Sequence, residues 1–399
     1  MKKAFAVLFA LILLLLSSCA SDNTVKDNFA DNGAVISWKG MPFYSTGNLY
    51  YESITYKDGG FYWKLENGFE KLSDIGGNCL WSYNGTAYFC TNPWIDEKEV
   101  IYQAGISVYD APKKLMDGKL NFVSNSGLIC LTENRDLYTS NIYGNNKKLI
   151  ANGGNYLNFH NNIIYYSTNE KDISPSSVSL FSYDIATEKT EQLATHEPEL
   201  LSHLQIPQLE VVGDRIVYSV GYYQGSGNYF TGDIISISKS GSSKKIYDIE
   251  HNNNPAFYKL KDNIIYLDKL ISVKNGKVKP LSEDIHRIVE TGDNYVYYQT
   301  ENGDLHRSNA DFKNDTLMLK ASDLPNALRE KYDYLRFRSI DVIDNTLYFT
   351  AEAWGYRTRY SWRDQFLNRT FGQIELDGSN LTIHQHIISD AQDQIPFEG

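Results

Sequence analysis

The chain has 399 residues, 14 % of them aromatic, with 30 tyrosines and a formal net charge of −11 that becomes about −13 once Lys2 and Lys3 leave with a cleaved leader. So acidic a protein repels polyanions, which excludes nucleic acid as a partner. The aromatic content fits an exported, strand-rich protein built from amphipathic strands.

The first eighteen residues place Lys2 and Lys3 before an apolar run from Ala4 to Leu16. Thirteen apolar residues are too few to span a bilayer comfortably, so residues 1–18 read as a signal peptide. Leu16-Ser17-Ser18-Cys19 resembles the lipobox of bacterial lipoproteins, which implies lipidation of Cys19 and a location in the cell envelope, anchored to a membrane and extracytoplasmic. Residues 19–33 are mostly small and polar and cannot bury a core, so they read as a tether reaching on the order of 20 Å. No second membrane-length apolar run follows, and residues 34–399 read as a single domain.

Along that domain, a short turn rich in Asp, Asn, Gly, Ser or Thr is followed by an aromatic residue or a cysteine at Tyr50, Tyr88, Cys130, Tyr165, Tyr218, Tyr266, Tyr297 and Tyr348. Their spacings of 31 to 53 residues suit four-stranded propeller blades and are too long for most solenoids. The expected fold is therefore all-β, a β-propeller of four-stranded antiparallel blades. Eight repeats favour eight blades, or seven if the first or sixth is absorbed by a neighbour.

Blade one is read as strands at Met41 to Tyr44, Leu49 to Ser53, Phe61 to Leu65 and Phe69 to Leu72. Later blades begin near Cys79, Leu120, Tyr156, Gln208, Ala256, His286 and Arg338, the last ending at Leu381 to His386. The recurring tyrosines read as core residues with a hydroxyl that reaches the sheet edge. Cys79 and Cys90 are equidistant from the hairpin turn Asn84-Gly85. That register allows a cross-strand disulfide, and equally two small buried residues. Cys130 stands in a tyrosine position and reads as core.

Turns between first and second strands, and between third and fourth, are read as short throughout. The long connections are Thr91 to Gly105, Ser167 to Val178, Val220 to Gly232 and Ala351 to Phe371 between second and third strands, with Ala194 to Pro207 and Asp323 to Tyr334 between blades. These emerge on one face of a propeller, the expected binding side. Two of them carry candidate binding residues. One holds Trp354, Tyr356, Arg357, Arg359, Tyr360, Trp362 and Arg363; the other holds Tyr222, Tyr223 and Tyr229 among glycines, with Trp94 in blade two as an addition. Trp, Tyr and Arg are the residue types that carry interface energy and stack on planar ligands. The alternative for each is a lid packed on itself. His196, Glu199 and His203 are spaced as a helical face would space ligands, yet Pro198 and the residue order favour a solvated turn, so no metal and no cofactor is expected. No Gly-x-Ser-x-Gly elbow or phosphate loop occurs, so no catalytic residue is assigned.

The lipobox, together with repeats such as Asn161-Asn162-Ile163-Ile164-Tyr165-Tyr166 leading to Leu180-Phe181-Ser182-Tyr183-Asp184-Ile185, resembles bacterial lipoproteins with a propeller domain of unknown function. That group is distantly similar to propellers of the low-density-lipoprotein-receptor type, although the Tyr-Trp-Thr-Asp tetrapeptide is absent. The expectation is a membrane-anchored propeller that binds a protein, peptide or glycan partner through its long-loop face. The alternatives are a carbohydrate-active hydrolase or lyase with acidic residues at the central channel, and a scaffold in an envelope assembly.

Overall fold

A computed structural model describes residues 35–38, 41–46, 60–65, 68–73, 78–83, 86–91, 99–104, 112–124, 127–169, 176–198, 203–224, 229–252, 255–292, 294–324, 334–343, 345–356 and 364–388. They form eight antiparallel sheets, each of four strands consecutive in sequence. The first strands of the sheets are Val35–Trp38, Asn78–Tyr83, Lys119–Val123, Gly154–His160, Gln205–Val212, Tyr258–Leu260, Arg287–Thr291 and Tyr334–Ile343. They converge on one another around a central axis, and the first strand of sheet one also lies against that of sheet eight, which closes the ring. The protein is an eight-bladed β-propeller. Among the described residues every blade is built from four strands consecutive in sequence.

Local chemistry explains the hairpins. At the Asn161-Asn162 turn both residues have positive φ, 49° and 63°, as a two-residue hairpin with matching twist requires. Ile163 then pairs with His160, and the next residues alternate toward the two faces of the sheet. Tyr88, Cys130, Tyr165, Tyr218, Tyr266, Tyr297 and Tyr348 all lie on second strands and are all buried. Apolar clusters fill the wedges between blades, for example Tyr165 with Leu209 and Tyr218, or Val212 with Ile264 and Tyr266. A propeller has no single central core, so each blade depends on both neighbours.

Side-chain amides add polar ties across these wedges. Gln208 Nε2 donates to the Phe257 carbonyl at 2.6 Å while Phe257 N donates to Gln208 Oε1 at 2.7 Å, joining blade five to the lead-in of blade six. Asn158 Nδ2 donates to the Leu209 carbonyl at 2.8 Å, and Gln299 Nε2 to the Leu335 carbonyl at 2.8 Å.

Blade one corrects the expected frame. Its first strand is Val35–Trp38 and its second is Met41–Thr46, with Trp38 opposite Met41 across Lys39-Gly40. Two glycine-containing turns compete there, and the sequence reading took the later one, Gly47-Asn48. Tyr50 falls outside the described residues. In blade two a bulge between Asn78 and Trp81 sets Asn78, not Cys79, opposite Cys90, which overturns the symmetric register expected for the two cysteines. The third strand of that blade, Val100–Gln103, lies inside the span expected to be loop. Its fourth strand is Lys113–Asp117, so a long gap in this blade falls between third and fourth strands and not only between second and third as expected.

Candidate functional site

Two places on the ring concentrate chemistry. The first is the projecting hairpin of blade five. Its second and third strands, Arg215–Gln224 and Tyr229–Ser238, stay paired to Gln224 opposite Tyr229, so most of the expected loop from Val220 to Gly232 is ladder. Gly221 lies directly opposite Gly232. A β-carbon on Gly221 would collide with the Thr231 carbonyl oxygen and crowd the Phe230 ring, so only glycine permits this close crossing. Beyond it, Tyr222, Tyr223 and Tyr229 gather near the tip. Gln224 Nε2 donates to the Tyr222 hydroxyl at 3.3 Å, and Tyr223 meets Phe230 edge-on at 5.1 Å. Tyr223 and Tyr229 nonetheless remain 37 % and 47 % exposed.

Blade eight repeats the device on the same face with strands Thr346–Tyr356 and Asp364–Glu375. Trp354 is opposite Tyr334 and Phe366, and Tyr356 is opposite Asp364. Arg357, Arg359, Tyr360, Trp362 and Arg363 lie outside the described residues, as do Trp94 and Cys19. The two hairpins are three places apart in the ring, so they do not form one contiguous patch.

The second place escaped the sequence reading. A cavity of about 630 Å³ opens along the axis between the first strands of blades two to six, lined among others by Trp81, Asn121, Asn158, His160, Glu210 and Lys259. Asn158 and Glu210 each sit three residues before a first hairpin turn, which puts them level, and Asn158 Nδ2 also donates to Glu210 Oε2 at 3.2 Å. Glu210 retains some surface on the channel but is enclosed by protein. That desolvation raises its pKa to about 7, against the opposing pull of Lys259 and of hydrogen bonds from Gln208 and Asn158. Burial lowers the pKa of His160, and Lys259 lowers it further, so the imidazole is neutral near pH 7. The Trp81 indole N–H is buried and finds no acceptor among the described residues. Glu210 is one of 49 acidic residues, and nothing nearby in sequence marks it, because Asn158 and Lys259 come from the flanking blades.

The histidines proposed for a metal go elsewhere. His196 Nε2 is 2.9 Å from the Tyr218 hydroxyl, His203 Nδ1 is 2.9 Å from Ser176 Oγ, and Glu199 lies outside the described residues. Among the described residues no group of three or more potential metal ligands occurs.

No family model matches the sequence, and no curated protein matches it. Solved structures do. Dipeptidyl peptidase 4 of Porphyromonas gingivalis superposes with a TM-score of 0.51 at 10 % identity, covering 91 % of this chain and 60 % of that one. The shared feature is the fold. Acylaminoacyl peptidase of Pyrococcus horikoshii gives 0.42 at 13 % identity, covering 74 % of this chain and 56 % of its own. The propeller domain of the trilobed protease of Pyrococcus furiosus gives 0.43 at 13 % identity, covering 75 % and 93 %. The chain thus spans a little under two thirds of the length of the two whole peptidases.

Proposed function

We propose that the protein is a membrane-anchored, extracytoplasmic binding propeller that captures a protein, peptide or glycan partner on the face carrying the blade-five and blade-eight hairpins. The observation behind this reading is the blade-five tip. Tyr223 and Tyr229 stay exposed at the end of a ladder that continues past the Gly221–Gly232 crossing. Exposed tyrosines on a rigid hairpin offer large contact area at low entropic cost. The sequence Leu16-Ser17-Ser18-Cys19 supplies the anchor, and residues 20–33 the reach to hold the ring near a membrane surface.

The channel reading as a glycoside-cleaving enzyme has less behind it. Such chemistry ordinarily uses two carboxylates about 5 to 10 Å apart, and the described lining of the cavity carries one, Glu210.

Two variants test the binding face by capture from envelope extract and on a glycan array. One replaces Tyr222, Tyr223 and Tyr229 with Ser; the other replaces Trp354, Tyr356, Tyr360 and Trp362 with Ala. The expected result is loss of capture in at least one variant with the melting temperature nearly unchanged. Capture equal to wild type in both would overturn the reading.

A further inference from the structure

We infer that the axial cavity is a second binding site, independent of the hairpin face, for a small solute bearing a carboxylate, which it holds against the Lys259 ammonium. The chain as a whole carries −11, yet the cavity lining sets the half-buried Lys259 near a single carboxylate, Glu210, that is only partly ionised at neutral pH, while Lys119 at the rim is exposed and acts on Glu99. His160 adds no charge near neutral pH. A cleft whose ammonium outweighs its partly protonated carboxylate focuses its field on small anions, while the acidic outer surface turns away large ones.

Lys259 is half-buried and makes no ion pair or hydrogen bond among the described residues, although it lies close enough to Glu210 and His160 to shift both. An ammonium on a cavity wall that makes no ion pair is available as a counterion. The neighbours suit a polar organic solute rather than a bare ion. Asn121 and Asn158 spend their N–H groups on Thr132, Leu209 and Glu210, which leaves their carbonyl oxygens to accept from hydroxyl or amide donors. Tyr156, Phe159 and Trp81 provide flat apolar wall, and the volume lies in the range of small-molecule sites.

Glu210 gives the site a distinctive signature. With a pKa near 7 it is about half protonated at neutral pH, and an arriving carboxylate would raise that pKa further. Binding therefore takes up a proton from solvent, which remains on Glu210, and affinity falls as pH rises above neutrality.

The test is isothermal titration of the full-length protein in detergent with two acids from different sources, glucuronate and acetyl-alanyl-alanine. Their neutral counterparts are methyl glucoside and the peptide amide. At least one acid is expected to bind at least tenfold more tightly than its neutral counterpart, and which acid binds assigns the source. Runs at pH 7 in two buffers of different ionisation enthalpy should show uptake of up to about half a proton per site. Lys259→Met should weaken binding at least tenfold, Lys259→Arg should restore much of it, and Glu210→Gln should keep binding but abolish proton uptake. The inference is overturned by neutral counterparts that bind as well as the acids, by unchanged affinity in a folded Lys259→Met protein, or by no acid binding at about 10 mM. Partner capture by Lys259→Met protein should match wild type, so failure here is separable from failure of the hairpin face.

Discussion

Blades five and six are neighbours built on the same plan and differ almost everywhere outside it. The first strand of blade five has eight residues and its other three have ten each, whereas blade six manages with strands of three and four. Both bury a tyrosine at the same place on the second strand, Tyr218 and Tyr266. The wedge between blades fixes that ring, while strand length beyond it is free to change. The extra ladder of blade five carries Phe230 and Ile249 into the core shared with blade six and continues beyond them to exposed tyrosines, while blade six shows how little a blade needs.

The largest effect should come from the glycine crossing. Gly221→Ala forces a β-carbon into backbone on the facing strand, and the expected loss is about 3 kcal/mol or more by chemical denaturation. A loss under about 1 kcal/mol would mean the hairpin separates freely, and the contrast with blade six would lose its meaning.

Next is the tie between the two blades. Gln208→Ala leaves both the N–H and the carbonyl of buried Phe257 without their partner, with an expected cost of about 2 to 3 kcal/mol. Gln208→Glu repairs only the acceptor half and should fall between.

The paired tyrosines should then separate. Tyr218 shares a hydrogen bond with His196, so Tyr218→Phe should cost about 1 kcal/mol. The Tyr266 hydroxyl is buried with no hydrogen-bond partner among the described residues, so Tyr266→Phe should be neutral or slightly stabilising. Equal losses in the two variants would show that the hydroxyls play no part.

The smallest effect is one of pH. Glu210 has a folded pKa raised above its ordinary value of 4.5, so between about 4.5 and 7 the folded state holds more protons than the unfolded. Its contribution to stability is therefore lost as pH rises through that window. His196 and His160 act oppositely, because burial depresses their pKa values and stability is lost as pH falls below about 6.5. Glu210→Gln should remove the contribution that is lost between about pH 4.5 and 7 and leave in place the histidine contribution that is lost as pH falls below about 6.5.

Much of this was legible in the sequence because it is encoded locally. Asn161-Asn162 announces a hairpin, and the tyrosine after each such turn marks the buried face of a second strand. Blade one was misframed because Lys39-Gly40 and Gly47-Asn48 both satisfy the turn chemistry, and only pairing of Val35–Trp38 along the axis decides between them. Gly221 and Gly232 read singly as loop residues, since nothing in a sequence says that two glycines eleven positions apart face each other. The axial cluster was the hardest to see. Glu210 acquires its character from enclosure between blades, with Asn158 and Lys259, each about fifty residues away, set against it, and that enclosure exists only once the ring has formed.

The ring closes by laying the first strand of blade one against that of blade eight, and every strand pairing lies within a contiguous stretch of chain. The sequence order of the blades is therefore a matter of where the gene happens to start. Joining residue 388 back to residue 35 and opening the chain between any two blades would preserve every ladder. Such circular permutants would move the chain ends round the ring, and with them the sector of the ring that carries the N-terminal segment.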